Sequence, residues 1–182
     1  EVLRHSVNRG KGAALRSGWQ RARARGFAWA LTLDGDGQHA PEDAPAFFTC
    51  AEFTGAQLVI GNRLSQRAAM PWLRWQVNRW MTRRLANLIR WPLKDSQCGF
   101  RLVNLETWSR LTLTTNRFEI ESELLVAFSA AGGWLAFVPV QVIYKATPSK
   151  IQPLVDGWRW LKWWLAQPRA TTLIEDARDT RP

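Results

Sequence analysis

Two carboxylates and an amide follow a continuous apolar run, and their oxygen atoms point to metal chemistry. The run covers residues 27–33, and Asp34, Asp36 and Gln38 follow it at every second position. Mg²⁺ and Mn²⁺ prefer such oxygen ligands, bind few protein carboxylates and fill other positions with phosphate oxygens. The spacing therefore predicts a divalent-metal site that holds a diphosphate. A simple turn rich in Asp and Gly is the alternative interpretation.

Two cationic residues are candidates for binding an anionic group. Lys11 lies between two glycines at the start of a helical pattern, where a helix N-terminus can hold phosphate. A glycine turn with a solvated lysine is the alternative for this segment. Arg63 comes shortly after a second apolar run at residues 57–61, so polar groups again follow the carboxyl end of a strand pattern.

The elements that must position these residues alternate between strand and helix patterns, as in an α/β fold. The run at residues 27–33 is typical of a buried parallel strand, whose carboxyl end faces the ligand crevice of an open sheet. Further strands are predicted at residues 1–4, 57–61 and 137–144, the last at a sheet edge because it contains Pro139. Helices are predicted at residues 13–26, 41–53, 71–90, 120–131 and 153–166.

The composition fits one globular domain in a reducing compartment. The chain has 182 residues and 46% hydrophobic composition, and no stretch approaches the roughly 20 apolar residues of a membrane span. Its two cysteines, Cys50 and Cys98, match no zinc spacing, and the first residues show no secretory pattern. We therefore expect free thiols and a cytoplasmic location.

Charge and aromatic content favour attachment to an anionic membrane surface. The net charge is +10, the pI is about 10.9 and the chain contains 12 tryptophans. Such a field attracts nucleic acid, anionic lipid and phosphorylated substrates alike, whereas indoles accumulate at membrane–water interfaces. We therefore expect a peripheral membrane protein and no nucleic-acid partner. Binding to single-stranded nucleic acid is the less favoured alternative, because no recognised binding motif is present.

Two of the predicted helices are candidates for the membrane-facing surface. The helix at residues 71–90 interleaves five arginines with an apolar stripe, and the helix at residues 153–166 carries four tryptophans among basic residues. In the last helix we expect one stripe to pack on the domain, formed by Leu154, Trp158, Leu161 and Leu165. We expect three other tryptophans to face lipid, namely Trp160, Trp163 and Trp164. Packing on the domain alone is the alternative use of these helices.

Six motifs occur in a characteristic order between residue 1 and about residue 165. They are Asn8-Arg9-Gly10-Lys11-Gly12, Asp34-Gly35-Asp36-Gly37-Gln38, Gly61-Asn62-Arg63, Asp95-Ser96-Gln97-Cys98-Gly99-Phe100-Arg101, Phe118-Glu119-Ile120-Glu121, and Val138-Pro139 followed by Ile143-Tyr144 and Ser149-Lys150. With these motifs the chain resembles family 2 glycosyltransferases, specifically the branch that makes polyprenyl-phosphate sugars, such as dolichyl-phosphate glucosyltransferase and dolichyl-phosphate mannose synthase. The motif that begins at Asp95 is the most specific of the six.

The resemblance implies a GT-A fold, which is Rossmann-like, over residues 1–152. An amphipathic, Trp-rich helix over 153–168 and a polar tail over 169–182, predicted to be disordered, would follow it. The resemblance implies that Asp34, Asp36 and Gln38 hold Mg²⁺ or Mn²⁺, and that Arg63, Ser149 and Lys150 help to bind phosphate oxygens. With it we predict catalytic roles for Asp36 and Asp95. Substrate binding is predicted for Lys11, Asp34, Arg63, Gln97, Arg101, Ser149 and Lys150.

The implied reaction is an inverting, metal-dependent transfer of a sugar from a UDP- or GDP-sugar to a polyprenyl phosphate, at the cytoplasmic face of the membrane. Inversion with an alcohol acceptor needs a base, whereas a lipid phosphate is already anionic and needs none. If the acceptor is a hydroxyl, Asp95 is the best candidate for the base. A loop-capping carboxylate is the alternative role of Asp95.

The chain departs from the family pattern at its beginning. Family members start with a strand ending in Pro-x-Tyr-Asn-Glu and a second ending in Asp-Asp-Gly-Ser, which bind the base and ribose, and neither motif occurs here. At about 30 residues per β-α step, roughly 60 residues are expected to be missing, so the fold is expected to be N-terminally truncated. The alternative function is therefore a catalytically inactive fragment that binds only membranes or anions.

Overall fold

The computed structural model describes residues 1–64, 70–143 and 153–167 of the chain. The described helices and strands form one α/β arrangement in which four short strands are flanked by helices. In chain order they are α1 (Lys11–Ala24), β1 (Trp29–Thr32), a 3₁₀ turn (Pro41–Asp43), α2 (Ala44–Thr54), β2 (Leu58–Asn62), α3 (Trp72–Ile89), β3 (Arg101–Asn104), α4 (Leu105–Ser109), α5 (Ile120–Ala130), β4 (Leu135–Pro139) and α6 (Pro153–Leu165).

The four strands form a mixed sheet in the order β1-β3-β2-β4. Strand β3 pairs antiparallel with both β1 and β2, whereas β2 and β4 run parallel. Strand β4 lies at an edge of the described sheet, as Pro139 predicts, because proline cannot donate a ladder hydrogen bond. The predicted α/β class is confirmed.

The prediction that β1 is a buried parallel strand is wrong. Strand β1 lies at the other edge of the described sheet, is only half-buried, and pairs antiparallel with β3. Phe27 and Leu33, at the two ends of its apolar run, are exposed. The direction of β1 is mispredicted because the sequence analysis does not include its partner, the short strand β3. Strand β3 begins at Arg101, the last residue of the motif that starts at Asp95. Apolar composition alone does not reveal the direction of the neighbouring strand.

The predicted strand at residues 1–4 is also absent from the structure. This segment runs beside α1, where the Glu1 carboxylate accepts hydrogen bonds from Arg21 and Arg25, each at 2.8 Å. His5 Nε2 lies 3.0 Å from the hydroxyl of Ser17 on the same helix. Side-chain contacts with α1 therefore take the place of a strand ladder.

The main core lies between the sheet and helices α1, α2 and α5. Phe47 of α2 stacks on Phe100 just before β3, with ring centroids 4.3 Å apart. Helix α5 contributes fully buried side chains, among them Leu125 and Phe128. A smaller cluster joins α3, α5 and α6, and its members include Leu85, Val126 and Trp160.

Helix α6 presents its tryptophans in the opposite way from the prediction. Trp160 is buried, with only 4% of its surface exposed, and its ring lies 5.6 Å from that of Trp80 on α3. Trp163 and Trp164 also pack against this cluster, whereas Trp158 and Leu165 are exposed. The indole of Trp160 has a polar partner inside the protein, the Ser122 hydroxyl 2.8 Å away, and this hydrogen bond favours the buried orientation.

No helix in the described ranges is both long and apolar enough to cross a membrane. The predicted polar tail at 169–182 and the two predicted substrate-binding residues Ser149 and Lys150 lie outside the described residues.

Candidate active site

The carboxyl end of β1, the first turn of α1 and the first turn of α5 meet at a cluster of three charged side chains. The Lys11 ammonium donates hydrogen bonds to Asp34 Oδ1 and to Glu121 Oε1, each at 2.5 Å. Lys11 is the first residue of α1, Asp34 follows β1 closely, and Glu121 is the second residue of α5. Burial opposes the charged form of Lys11, but the carboxylates of Glu121 and Asp34 outweigh it and raise the pKa of Lys11.

Asp34 is fixed on both of its oxygens. Oδ1 accepts the Lys11 hydrogen bond, and Oδ2 lies 3.5 Å from His39 Nε2. The His39 ring is buried and packs against Phe100, with centroids 5.2 Å apart. Burial opposes the carboxylate, but His39 and the Lys11 charge together outweigh it and hold the pKa of Asp34 well below its ordinary value. Asp34 is therefore an ionised, immobilised acceptor.

Asp36 and Gln38 lie in the exposed loop that follows. Asp36 Oδ1 accepts a hydrogen bond from the backbone N–H of Gln38 at 3.1 Å, and the Asp36 residue is exposed to solvent. The carbonyl of Gln38 accepts from the N–H of Ile143 at 3.0 Å, and His39 forms an antiparallel bridge with Val142. These backbone contacts tie the loop to the segment after β4.

The donor set at this loop suits a magnesium or manganese ion by its chemistry. Asp36 offers an open carboxylate and Gln38 an amide, while the oxygens of Asp34 are already in contact with Lys11 and His39. Within the described ranges, no group of three or more His, Cys, Asp or Glu residues could hold a metal ion. An ion here would therefore need oxygen atoms from a bound phosphate, as these ions commonly do.

Gly99 gives Asp34 the space it occupies. A Cβ atom added at Gly99 would lie well inside van der Waals contact of the Asp34 carboxylate. The Gly99 backbone cannot retreat easily, because its carbonyl accepts a hydrogen bond from Thr32 Oγ1 at 3.1 Å. The absence of a side chain at residue 99 is thus a requirement of the site.

We expect Gly99→Ala to destabilise the fold by about 1–3 kcal/mol, because the added methyl group must displace a carboxylate held by Lys11 and His39. Urea unfolding of the variant would measure the loss. Gly35→Ala is the matched control in the same region, since a Cβ there meets nothing within 4 Å. Equal stabilities of the two variants would contradict this account of Gly99.

A second buried ion pair lies at the carboxyl end of β2. Asp95 is fully buried, and Arg63 donates to it from Nε at 2.9 Å, from Nη2 at 3.1 Å and from its backbone N–H at 3.1 Å. The backbone N–H of Gln97 donates a fourth hydrogen bond at 3.0 Å. Burial disfavours the charged form of Asp95, but Arg63 and these hydrogen bonds outweigh it and lower the pKa of Asp95. This arrangement favours the loop-capping role of Asp95.

Gln97 and Arg101 form hydrogen bonds that stabilise the loop beginning at Asp95 from the protein interior. Arg101 is 2% exposed and donates to the carbonyls of Ser96, Cys98 and Glu121 at 2.8, 2.7 and 2.6 Å. Gln97 Nε2 donates to the Ser122 hydroxyl at 3.2 Å. The predicted substrate contact of Arg101 has no counterpart in this geometry, because the guanidinium is buried and all three donor nitrogens face backbone carbonyls.

The first residues of α5 connect the cluster of Lys11 and Asp34 with the loop that begins at Asp95. Glu121 binds Lys11 through its side chain and Arg101 through its carbonyl, and Ser122 accepts from Gln97. The structure therefore brings Lys11 and Asp34 into contact and joins them, through α5, to the loop that begins at Asp95.

Glu121, Ser122 and His39 are residues of the site that the sequence reading did not assign. Glu121 lies in one of the family-like motifs, but at the start of a predicted helix, where an acidic side chain ordinarily compensates the helix dipole. His39 directly follows Gln38, and it is one of only two histidines in the chain. The available signals were the acidic residue in the motif at residues 118–121 and the histidine directly after the motif at residues 34–38.

Two curated proteins of related sequence carry names from the polyprenyl-phosphate branch. The UDP-N-acetylglucosamine–dolichyl-phosphate N-acetylglucosaminyltransferase of Methanococcus voltae is 28% identical over 154 residues, which are 79% of this chain and 59% of that protein. The polyprenol monophosphomannose synthase of Mycolicibacterium smegmatis is 26% identical over 116 residues, which are 62% of this chain and 43% of that protein. The matches cover 59% and 43% of these two relatives, so the chain spans about half of their length.

A solved structure of similar fold is glucosyl-3-phosphoglycerate synthase from Mycobacterium tuberculosis, in complex with Mn²⁺, UDP and glucosyl-3-phosphoglycerate. It superposes with a TM-score of 0.60 at 19% identity, over 91% of this chain and 55% of that chain. The predicted GT-A fold is confirmed by this likeness. A family model described as glycosyl transferase family 2 matches residues 1–110, more than half of the sequence. The chain belongs to glycosyl transferase family 2.

Proposed function

We propose that this chain carries the catalytic part of an inverting, metal-dependent glycosyltransferase, which moves a sugar from a UDP- or GDP-sugar to a polyprenyl phosphate. The observation that carries the proposal is that Lys11 joins Asp34 to Glu121, while Asp36, two residues after Asp34, is exposed. The names of the two curated relatives support the lipid-phosphate acceptor. The Mn²⁺ and UDP bound by the structural neighbour support a metal and a nucleotide sugar.

Asp36 is the residue that we assign to direct contact with Mg²⁺ or Mn²⁺, together with Gln38 and an oxygen of Asp34. When bound, the ion would neutralise the negative charge that develops on the leaving diphosphate. The chain's own contribution is to fix the donors before the substrate arrives. Lys11 and His39 hold Asp34, and the backbone N–H of Gln38 orients Asp36.

A phosphate acceptor agrees with the state of Asp95. A general base must reach the proton that it removes, and Asp95 is fully buried and engaged by Arg63 and Gln97. An anionic lipid phosphate needs no such base, so the buried ion pair is compatible with catalysis. Contacts of Ser149 and Lys150 with phosphate oxygens remain predictions.

The location proposed for this reaction is the cytoplasmic face of an anionic membrane, where the protein binds peripherally. Lipid phosphate is available at that surface, and the net charge of +10 attracts the chain to it.

The test of this proposal is the transfer of radiolabelled sugar to polyprenyl phosphate in Mn²⁺, with UDP-glucose, UDP-N-acetylglucosamine and GDP-mannose as donors. The assay should include the 182-residue chain and any longer polypeptide that contains it. We expect label in the lipid fraction with one donor, and its loss when EDTA removes the metal. Transfer that persists in EDTA would contradict metal dependence, and the absence of transfer in every polypeptide would contradict the function.

The second candidate is a catalytically inactive domain that binds only membranes or anions. The edge position of β1 favours it, because β1 has one hydrogen-bonded neighbour among the described strands. Isothermal titration of the 182-residue chain with UDP-glucose and GDP-mannose in Mn²⁺ separates the two candidates. Micromolar binding of either nucleotide sugar would exclude the inactive domain.

A further inference from the structure

Helices α3 and α6 together expose an apolar surface, which we call the α3–α6 face. Its large apolar side chains are exposed although both helices pack on the domain through their other sides. Leu73 is 68% exposed and Trp158 is 67% exposed. The exposed members are Trp72, Leu73, Val77, Trp80, Val155, Trp158 and Leu165.

The face is continuous from one helix to the other. Leu73, Val77, Trp80 and Arg84 follow one another at helical spacing along α3, so they form one stripe. Trp80 lies 5.6 Å from Trp160 of α6. The Arg84 guanidinium lies over Trp80 at 5.5 Å and over Trp164 of α6 at 5.7 Å. The stripe on α3 therefore borders α6 directly.

The charge of the face is positive. Helix α3 contains four arginines and no acidic residue, and its C-cap is Arg90. Arg79, Arg83 and Arg84 are exposed, and the Arg84 guanidinium lies over Trp80, so positive charge lies directly at the apolar stripe. The acidic residue of α6, Asp156, accepts a hydrogen bond from Arg159 at 3.1 Å. Tryptophan and arginine side by side are typical of helices that lie in the headgroup region of a membrane.

We propose that the α3–α6 face docks on an anionic lipid bilayer and thereby holds the candidate active site at the bilayer surface. Charge complementarity selects this partner, because the arginines attract anionic headgroups while the exposed indoles and aliphatic side chains enter the interface. The proposal rests on the proposed function only where it connects docking to a lipid-phosphate acceptor. The docking itself follows from exposure and charge.

Both helices are connected by hydrogen bonds to the loop at residues 95–97, α3 directly and α6 through Ser122 of α5. From α6, Trp160 Nε1 donates to the Ser122 hydroxyl at 2.8 Å, which also accepts from Gln97. From α3, Thr82 Oγ1 accepts from the N–H of Ser96 at 3.0 Å. These buried hydrogen bonds connect the docking helices rigidly with the loop at residues 95–97. Docking would therefore fix the position of that loop relative to the lipid headgroups.

The test is co-sedimentation of the folded chain with vesicles of phosphatidylcholine alone and with phosphatidylglycerol. We expect binding to the anionic vesicles only, and weaker binding at high salt, since salt screens exposed charges. The double variant Trp158→Ser with Leu165→Ser should need about tenfold more lipid for half-maximal binding. Phe53→Ser is the matched control, because Phe53 is 91% exposed but lies on α2.

A second pair of variants tests the charge. Arg79→Gln with Arg83→Gln should weaken binding to anionic vesicles several-fold. Arg23→Gln with Arg25→Gln removes the same charge from α1 and should have a clearly smaller effect. Circular dichroism would show that every variant is folded, as expected for exposed positions.

Three results would overturn the proposal. The first is no binding of the folded chain to anionic vesicles at low salt, and the second is equal binding by the Trp158/Leu165 and Phe53 variants. The third is a dimer in lipid-free buffer that the Trp158/Leu165 variant dissociates, because the face would then belong to a second copy. Sugar transfer to a detergent-solubilised acceptor is a separate measurement, so failure of docking and failure of the proposed function can be distinguished.

Discussion

Replacing Asp36 with alanine is expected to lower metal-dependent sugar transfer by at least about 100-fold, without lowering the stability of the fold. The reason is that Asp36 is exposed and offers the open carboxylate of the loop, while its described hydrogen bond is a local one to Gln38. Transfer of radiolabelled sugar in Mn²⁺ measures the first effect, and urea unfolding measures the second. Electron paramagnetic resonance of Mn²⁺ in the presence of UDP would report the lost metal site directly.

Two further variants make this result specific. Glu42→Ala removes an exposed acid from the adjacent 3₁₀ turn and should leave Mn²⁺ binding unchanged. Asp34→Ala should lower both transfer and stability, because its loss leaves Lys11 and His39 without a partner that both now contact. The assignment of the metal to Asp36 is wrong if Asp36→Ala transfers sugar at the rate of the unchanged chain.

Five helices and the approximate positions of three strands were predictable because their signals are local, namely α1, α2, α3, α5 and α6 and the strands β1, β2 and β4. Helices α3 and α5 have apolar residues at helical spacing, and β2 has a continuous apolar run. Strand β3 is not predicted because it has only four residues and begins at Arg101, the last residue of the motif that starts at Asp95. Its pairing with β1 and β2 depends on contacts far apart in sequence, so the sheet order could not be read from any one segment.

The site was predictable in its residue types but not in its connections. Asp34, Asp36 and Arg63 follow strand patterns, and the structure places them in loops that follow β1 and β2. The pairing of Lys11 with Glu121 joins residues 110 positions apart, and that of Arg63 with Asp95 joins residues 32 apart. Sequence spacing gives no information on such contacts, because tertiary packing creates them.

The orientation of α6 was mispredicted for a related reason. A helical stripe can be recognised from sequence, but α6 has tryptophan on several sides, so its pattern does not define one buried face. Which tryptophans of α6 are buried depends on the groups that each indole contacts in the folded chain. Trp160 meets the Ser122 hydroxyl and the ring of Trp80, neither of which is near it in sequence.

Replacing Asp95 with asparagine is expected to destabilise the fold by about 3 kcal/mol, because it leaves the Arg63 guanidinium, whose side chain is only 14% exposed, without its counter-charge. Urea unfolding at neutral pH would measure the loss, with the exposed Glu42→Gln as the control, expected within about 0.5 kcal/mol of the unchanged chain. The double variant Arg63→Met with Asp95→Leu should recover part of the loss, since no unpaired charge remains. If the losses of stability from Arg63→Met and from Asp95→Leu simply add in the double variant, this description of the ion pair is wrong.

The same ion pair predicts how stability depends on pH. Asp95 has a lowered pKa in the folded chain. Its contribution to the free energy of unfolding is therefore fully present above the ordinary carboxyl pKa of about 4. As the pH falls below that value, the unfolded chain takes up a proton before the folded one does, and the stability that Asp95 supplies is lost. Asp34 contributes in the same direction. The unchanged chain should therefore lose more stability between pH 6 and pH 3 than Asp95→Asn, by an amount that urea unfolding at each pH can measure. Parallel stability curves for the two proteins would show that the Asp95 carboxylate does not gain its stability from Arg63.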